Sequence, residues 1–397
     1  MRYALCFQMK GGKPKMSKRV AIIGIGTTGF RATTPDVSYR ELTYEAAMKA
    51  YLDAGVEPKD IGSFVSTAED FFEGYSIADE YSPDQLGAVL RPIYTVPGDF
   101  IHSLASAYMM ILSGIGPISV AQGLSKASNM LTLSEMVTFA MDPIYNRPLK
   151  ESPHAVAAME MARFMHETGT TREQCAKVVV KNKKNALNNP YAGHSVLIDT
   201  DYVLNSEVIS YPLTQMDISP HSDGAVVVVL AEEETAKTLC DKPIWIRGIG
   251  WCSDTPGLET RNWGEAIYAQ MAAEMAYKMA GIRYPRKEID FAEINDEFSY
   301  KELQHLEAMR ICKKGEAGPL TEIGGTEITG EFPVNPSGGC LGVGNLYELN
   351  GGHKVFEVVR QLRGEAGKNQ LKNVTTGLAQ SWRGVPTTTG TVVILSN

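Results

Sequence analysis

Asp99 and His102 stand three residues apart at the start of a helix-like stretch, a spacing that puts an acid and an imidazole on one helical face. Such an oriented pair can take and return a proton, with the aspartate as first choice of base. The aspartate is equally a good N-cap, because a helix N-terminus presents unpaired N–H groups and favours negative charge. Cys340 directly follows two glycines, but the six cysteines (6, 175, 240, 252, 312 and 340) are scattered and form no CxxC pair. Neither a disulfide framework nor a zinc site is expected from them, and free thiols suit a reducing cytosol. His154, His166, His194, His221, His305 and His353 lack metal-ligand spacing, so no metal is expected and they are assigned no chemistry. Gly24 to Gly29, GIGTTG, has the GxGxxG spacing of a dinucleotide-binding turn. A working turn must open a helix whose N-terminus holds the pyrophosphate. Here RATTPDVSY intervenes and the helical pattern begins only near Tyr39 to Leu42, so a strand running into a glycine-rich loop is the preferred reading.

The elements that position these residues repeat along the chain. VAIIGIG (Val20 to Gly26) recurs as IWIRGIG (Ile244 to Gly250), 224 residues later. The helix end before Gly55 recurs before Gly281, an offset of 226, and Ile61 corresponds to Ile289, an offset of 228. Further on, the helix closing at Gly114 corresponds to one closing at Gly364, an offset of 250. Each half ends in a β-branched run, DGAVVVVL (Asp223 to Leu230) and GTVVIL (Gly390 to Leu395). Strand, helix, strand, helix and paired strands, given twice, predict two similar α/β units with helices covering sheets. The expected organisation is a disordered extension over 1–17, a first half over 18–240 with a cap or loop region about 125–215, and a second half over 241–397.

Composition bounds the function. A chain of 397 residues with 44% hydrophobic content can bury a large core. AVVVVLA (Ala225 to Ala231) has the length of a buried strand, and no apolar run approaches the roughly 18 residues of a membrane span. The net charge of -8 without basic runs argues against nucleic acid. MRYALCFQMKGGKPK is too brief and wrongly flanked for a secretory signal, and Met16 begins the pattern that runs into the first core strand.

The segment NPSGGCLGVG (Asn335 to Gly344), the helix-like stretch ending in VRQLRGEAG and the run QSWRG together resemble the C-terminal half of the thiolase superfamily, in its sterol-carrier and archaeal branch. In the first half KNKKNALNNPYA (Lys181 to Ala192) and SPHSDGAVVVVL (Ser219 to Leu230) keep the order of that family, and EINDEF (Glu293 to Phe298) sits where it has its asparagine or histidine box. The resemblance runs from about Lys18 onward and implies a five-layer α-β-α-β-α fold of two pseudo-repeated halves, acting on a CoA thioester with no tightly bound cofactor. Three departures bear on the chemistry. Counting back from Ser113, the acyl-accepting cysteine is replaced by Pro97; the histidine after the glycine turn is replaced by Asn345; and the second cysteine is absent from QSWRGVPTTTG (Gln380 to Gly390). A thiolase needs a thiolate, a base and a proton donor.

What the resemblance leaves is enolate stabilisation. Asn295 and Asn345 occupy the two positions that flank the thioester oxygen in relatives, so each is a candidate donor. Tyr300 and Tyr347 lie beside those boxes, and a phenol can exchange a proton if its site lowers its pKa. Steroid side-chain aldolases of the superfamily also lack the cysteine and use tyrosines, although this chain has no tyrosine at the position of Asn345. Ser219, Gly338, Gly339, Trp382 and Arg383 are the implied CoA contacts, with Trp382 and Arg383 otherwise a packing corner. Asp70, Glu73 and Tyr75 read as an acidic loop at the mouth or dimer interface, and Ser134 to Pro153 as a specificity loop or a cap filling. The leading expectation is a CoA-thioester enzyme making or breaking a carbon–carbon bond by an aldol or direct Claisen route without an acyl-cysteine. Its alternatives are a conventional thiolase with a nucleophile placed elsewhere or supplied by a partner, and a non-catalytic subunit. A homodimer and a small zinc-ribbon/OB-fold partner are implied by resemblance.

Overall fold

In the computed structural model, which describes residues 19–69, 77–130, 137–150, 152–255, 257–384 and 388–397, the repeated apolar runs become the strands of one mixed sheet. The strands are β1 (Val20–Thr27), β2 (Ser63–Thr67), β3 (Ile93–Val96), β4 (Ile118–Ser125), a small hairpin of β5 (Val208–Ser210) and β6 (Leu213–Thr214), then β7 (Gly224–Glu232), β8 (Ile244–Ser253), β9 (Phe291–Glu293), β10 (Thr376–Arg383) and β11 (Thr389–Ser396). The helices that matter here are α1 (Tyr39–Ala54), α2 (Phe100–Ser113), α3 (Pro153–Thr168), α4 (Arg172–Ala186), α5 (Ile267–Ala280), α6 (Ser299–Ala308), α7 (Gly339–Val343) and α8 (Asn350–Arg363). The nine-stranded order is β3-β2-β4-β7-β1-β8-β11-β10-β9. Its two halves meet at β1 and β8 through a short ladder, Ala21 with Trp245 and Ile22 with Ile244.

Strand alternation explains the layers. On β7, Val226 and Val228 face the centre of the molecule while Val227 and Val229 face α1; on β11, Val393 and Leu395 face the centre while Val392 and Ile394 face the side of α5. The centre is filled by α2 and α8, with Phe100, Leu104, Val355 and Val359 in one cluster. The result is the expected α-β-α-β-α arrangement: α1 and α5 outside, the two half-sheets inside them, and α2 with α8 between. Each branched side chain so withdrawn contributes roughly 1.5–3 kcal/mol.

The strand glycines that imitate a dinucleotide turn have a packing cause. A Cβ on Gly24 or Gly26 would lie 2.4 or 2.1 Å from a carbonyl oxygen of α1, at Ala50 and Ala46. The same is true of Gly248 and Gly250 against Ala276 and Ala272 of α5, at 2.0 and 2.2 Å. The repeated GxG therefore lets each outer helix lie directly on its strand. The expected extension over 1–17, Asp70, Glu73, Tyr75 and parts of the 134–153 loop lie outside the described residues.

Candidate active site

Beyond β9 the chain turns through Asn295 to Phe298 into α6, and side chains from both halves fix this turn. Asn295 donates its backbone N–H to Gln380 Oε1 (2.9 Å) and its amide to the Trp382 carbonyl (3.2 Å), while its own Oδ1 accepts from the Glu297 N–H (3.0 Å). Asp296 accepts from the N–H groups of Cys340 (2.5 Å) and Leu341 (3.1 Å) and from the Asn182 amide (2.8 Å), so it caps the short helix α7. Gly339 is small because a Cβ there would sit 2.3 Å from the Asp296 carboxylate, and Gly338 because one would sit 2.6 Å from Ala186 Cβ. Both expected CoA contacts thus serve packing of α7 on the turn and α4.

Glu297 is what the turn presents to a cleft of about 360 Å3, whose wall also includes Ser219, His154, His221, Asn345 and Tyr347. Burial pushes the Glu297 carboxyl up to about 7, and Lys301, the Asn345 amide and Lys354 pull it back toward ionisation. A carboxyl poised near neutrality in a cleft is suited to both taking and giving a proton. Asn345 is locked by its backbone, whose N–H donates to the Pro220 carbonyl (2.7 Å) and whose carbonyl accepts from Ser222 (2.8 Å). Its Oδ1 accepts from the Tyr347 N–H (3.0 Å) and the Asn350 amide (2.8 Å). That leaves its amide facing Glu297. The Asn345–Tyr347 contact holds Tyr347 at φ +54°, a strained conformation for a tyrosine. Burial drives the Tyr347 phenol well above its usual range, so it stays neutral. Ser219 Oγ is buried at the wall with no hydrogen-bond partner, while its N–H donates to the Glu297 carbonyl (2.9 Å). His154 stacks edge-on to Phe298 at 6.3 Å, and burial lowers its imidazole below the usual value.

Other expected site residues have different work. Asp99 is buried and its carboxylate is occupied: Oδ1 accepts from the Ile101 N–H and the Thr391 hydroxyl, both at 2.9 Å, and Oδ2 from the Gly351 N–H at 2.9 Å. It caps α2 and at the same time ties it to α8 and β11. The expected Asp99–His102 acid–base pair does not form, because His102 Nδ1 meets the Asp99 backbone carbonyl (3.2 Å) and not the carboxylate. Burial lowers the His102 imidazole, against the pull of Asp99. Tyr300 is buried behind the turn, its hydroxyl donating to Glu160 (2.8 Å), and burial raises its phenol far above its usual range. Trp382 lies in the core with its ring 6.4 Å from that of Tyr268, and Arg383 is paired with Glu69. Cys340 is buried 3.1 Å from Lys354, its thiol pushed up to about 12 by burial. No cysteine among the described residues lines this cleft. Among the described residues no cluster of His, Cys, Asp or Glu could hold a metal ion.

Glu297, His154 and His221 are cleft residues that reasoning from the sequence passed over. Two of the three were available by adjacency, since Glu297 follows Asn295 by two residues and His221 follows Ser219 by two. Nothing in the sequence ties His154 to them.

Residues 257–397 match the family described as thiolase C-terminal domain-like. The chain is 34% identical to an acetyl-CoA acetyltransferase of Methanothermobacter thermautotrophicus, over 91% of this chain and 95% of that protein. It is 28% identical to the 17-hydroxy-3-oxo-4-pregnene-20-carboxyl-CoA lyase of Mycobacterium tuberculosis, over 94% of this chain and 98% of that one. Among solved structures it is similar to the Ltp2-ChsH2(DUF35) aldolase, with a TM-score of 0.82 at 27% identity, covering 95% of this chain and 97% of that chain.

Proposed function

The chain belongs to the thiolase superfamily, and from that premise we propose that it makes or breaks a carbon–carbon bond β to a CoA thioester without an acyl-cysteine, with Glu297 as the acid–base. As a superfamily member it is an acyltransferase or a carbon–carbon lyase acting on CoA thioesters. The observation that supports the cysteine-free reading is the Glu297 carboxyl, held near neutrality beside the Asn345 amide in a cleft that, among the described residues, no cysteine lines.

In the cleavage direction Glu297 takes the proton of a β-hydroxyl, the Cα–Cβ bond breaks to leave a carbonyl compound, and its electron pair moves into the thioester as an enolate. Donors at the enolate oxygen supply the largest stabilisation, on the order of 3 to 4 kcal/mol each. Asn345 is the retained candidate for that task. Asn295 is the weaker one, because its amide already serves the Trp382 carbonyl. Glu297 then hands the proton it has taken to the α-carbon, which regenerates its carboxylate and makes the same group responsible for exchange of the α-protons, with neutral Tyr347 as a further hydrogen-bond donor in the cleft. Ser219, with its unpartnered hydroxyl, is the retained candidate for a substrate contact. The homodimer, the small zinc-ribbon/OB-fold partner and the cytosolic location belong to the same proposal; the partner gains support from the composition of the aldolase complex that shares this fold.

The test is exchange of the α-protons of acetyl-CoA in D2O, followed by NMR, together with intact-protein mass spectrometry. Exchange that is lost in Glu297→Gln, with no acetyl added to the protein, supports the reading. A stable acetyl adduct would establish the conventional acyl-enzyme route instead.

A further inference from the structure

The Asn345 amide can donate into the cleft in only one of its two orientations. Half a turn about Cβ–Cγ exchanges Oδ1 and Nδ2 with almost no change of shape, so hydrogen bonds choose between them. The Asn345 backbone is fixed on both sides, by the Pro220 carbonyl and the Ser222 N–H, which leaves the side-chain torsions to set where the amide points. On the inner side Oδ1 faces two donors, the Tyr347 N–H (3.0 Å) and Nδ2 of Asn350 (2.8 Å). Nδ2 of Asn345 is therefore turned to the cleft wall that it forms with Glu297.

Asn350 is buried and opens α8, yet its side chain serves the loop in front of the helix. Its Oδ1 accepts from the Leu346 N–H (2.9 Å) and from the Cys340 thiol (3.5 Å). A backbone N–H can only donate, so the Leu346 contact fixes which end of the Asn350 amide is oxygen and sends Nδ2 toward Asn345. Cys340 is held in its turn by Lys354, whose Nζ donates to the sulfur (3.1 Å). The position thus calls for an acceptor and a donor on one short side chain. A carboxylate supplies no donor there, and an apolar side chain supplies neither.

We propose that Asn350 is a positioning residue that keeps the N–H groups of the Asn345 amide turned to the cleft, and that the Leu346 N–H and the Cys340 thiol, backed by Lys354, hold Asn350 in that role. The inference rests on the reading of Asn345 as the donor to the enolate oxygen. Without the Asn350 donor, Asn345 Oδ1 keeps the Tyr347 N–H alone on its inner side. A carboxylate at position 350 reverses the preference, because a charged acceptor attracts an N–H more strongly than a neutral N–H attracts a carbonyl. Asn345 then turns Nδ2 inward and presents Oδ1 to the cleft. An oxygen there can donate nothing to an enolate and faces the Glu297 carboxylate as one acceptor to another.

The experiment is a double-mutant cycle on α-proton exchange of acetyl-CoA in D2O, followed over a range of acetyl-CoA concentrations so that kcat and KM separate. Asn350→Asp keeps the size of the side chain and the acceptor for Leu346. It is expected to lower kcat about tenfold, as Asn345→Ala does, with KM within about threefold of wild type. In the Asn345→Ala background the same substitution should change kcat by less than about twofold, because the group it acts through is gone. Asn350→Asp places a carboxyl in the core and is liable to fold poorly, so Asn350→Ala, which adds no charge, is taken through the same cycle. Its loss is expected to be about threefold, and again to vanish beside Asn345→Ala. An equal loss in both backgrounds, or no loss in the wild-type background, in either folded variant would overturn the proposal. Failure of the underlying reading looks different: Asn345→Ala alone would then keep full exchange, and the inference falls with it.

Discussion

Asp99 and Glu297 are two carboxyl groups from opposite halves of the chain, and they differ in who donates to them. Asp99 accepts from two backbone N–H groups and a hydroxyl, and these contacts join α2 to α8 and β11. Glu297 has one amide beside it and an open cleft in front. With donors on both oxygens Asp99 serves as a fastener, whereas burial with few donors leaves Glu297 close to the point of protonation. The comparison teaches that the acid best placed by its position on a helix is not the acid best placed for chemistry.

The sharpest way to break the comparison is to exchange the expected losses. Glu297→Gln should lower the rate of α-proton exchange by 10²–10⁴-fold while leaving thermal unfolding nearly unchanged. Asp99→Ala should do the reverse. It strands two N–H groups and a hydroxyl in the core, and should cost about 3 kcal/mol in urea unfolding, with activity per folded molecule largely kept. If Asp99→Ala folds normally and is inactive, the roles assigned to the two acids are the wrong way round.

A third carboxyl sharpens the contrast through pH. Burial raises Glu293 to about 8, with Glu357 adding to the effect and Ser337 opposing it. Its protonated form is thus favoured by folding, so the stability it contributes is fully present below its unfolded value of 4.5 and is lost as pH rises through about 8. The unfolding temperature of the wild type should fall as pH rises over that window, and Glu293→Gln should flatten the slope. Asn345→Ala removes a donor that favours the Glu297 carboxylate, so the pH midpoint of exchange should rise and the maximal rate fall by roughly tenfold. The smallest effect is expected from His102→Ala, a change in rate within about threefold, because its imidazole meets only a backbone carbonyl.

Much of the architecture was legible because it depends on local pattern. The apolar strand runs, the helix-closing Gly55, Gly114, Gly281 and Gly364, and the near-constant offset between halves all appear in the structure as paired elements, each of those glycines taking the left-handed conformation. GIGTTG reads in the sequence as a strand running into a glycine-rich loop, and β1 ends there, but the physical need for Gly24 and Gly26, contact with α1, involves residues some twenty positions away. The site was less legible. Asn345, Tyr347 and Ser219 do line the cleft, while Tyr300 and Trp382 turn away from it into the core. The difference lies in depth: Tyr300 stacks its ring against that of Phe298 (6.1 Å) and carries its hydroxyl inward to Glu160, a partner 140 positions away that local spacing does not reveal.

By itself, then, the sequence determined the superfamily, the duplicated α/β halves and the identity of the segments that meet at the site, since these rest on residue order, periodicity and turn-forming residues. Only the tertiary structure decided which side chains do chemistry. Whether a carboxyl such as Asp99 or Glu297 is a fastener or an acid depends on donors and charges that come from Gly351, Thr391, Asn345 and Lys301, and the distance of these groups along the chain carries no information about their distance in space.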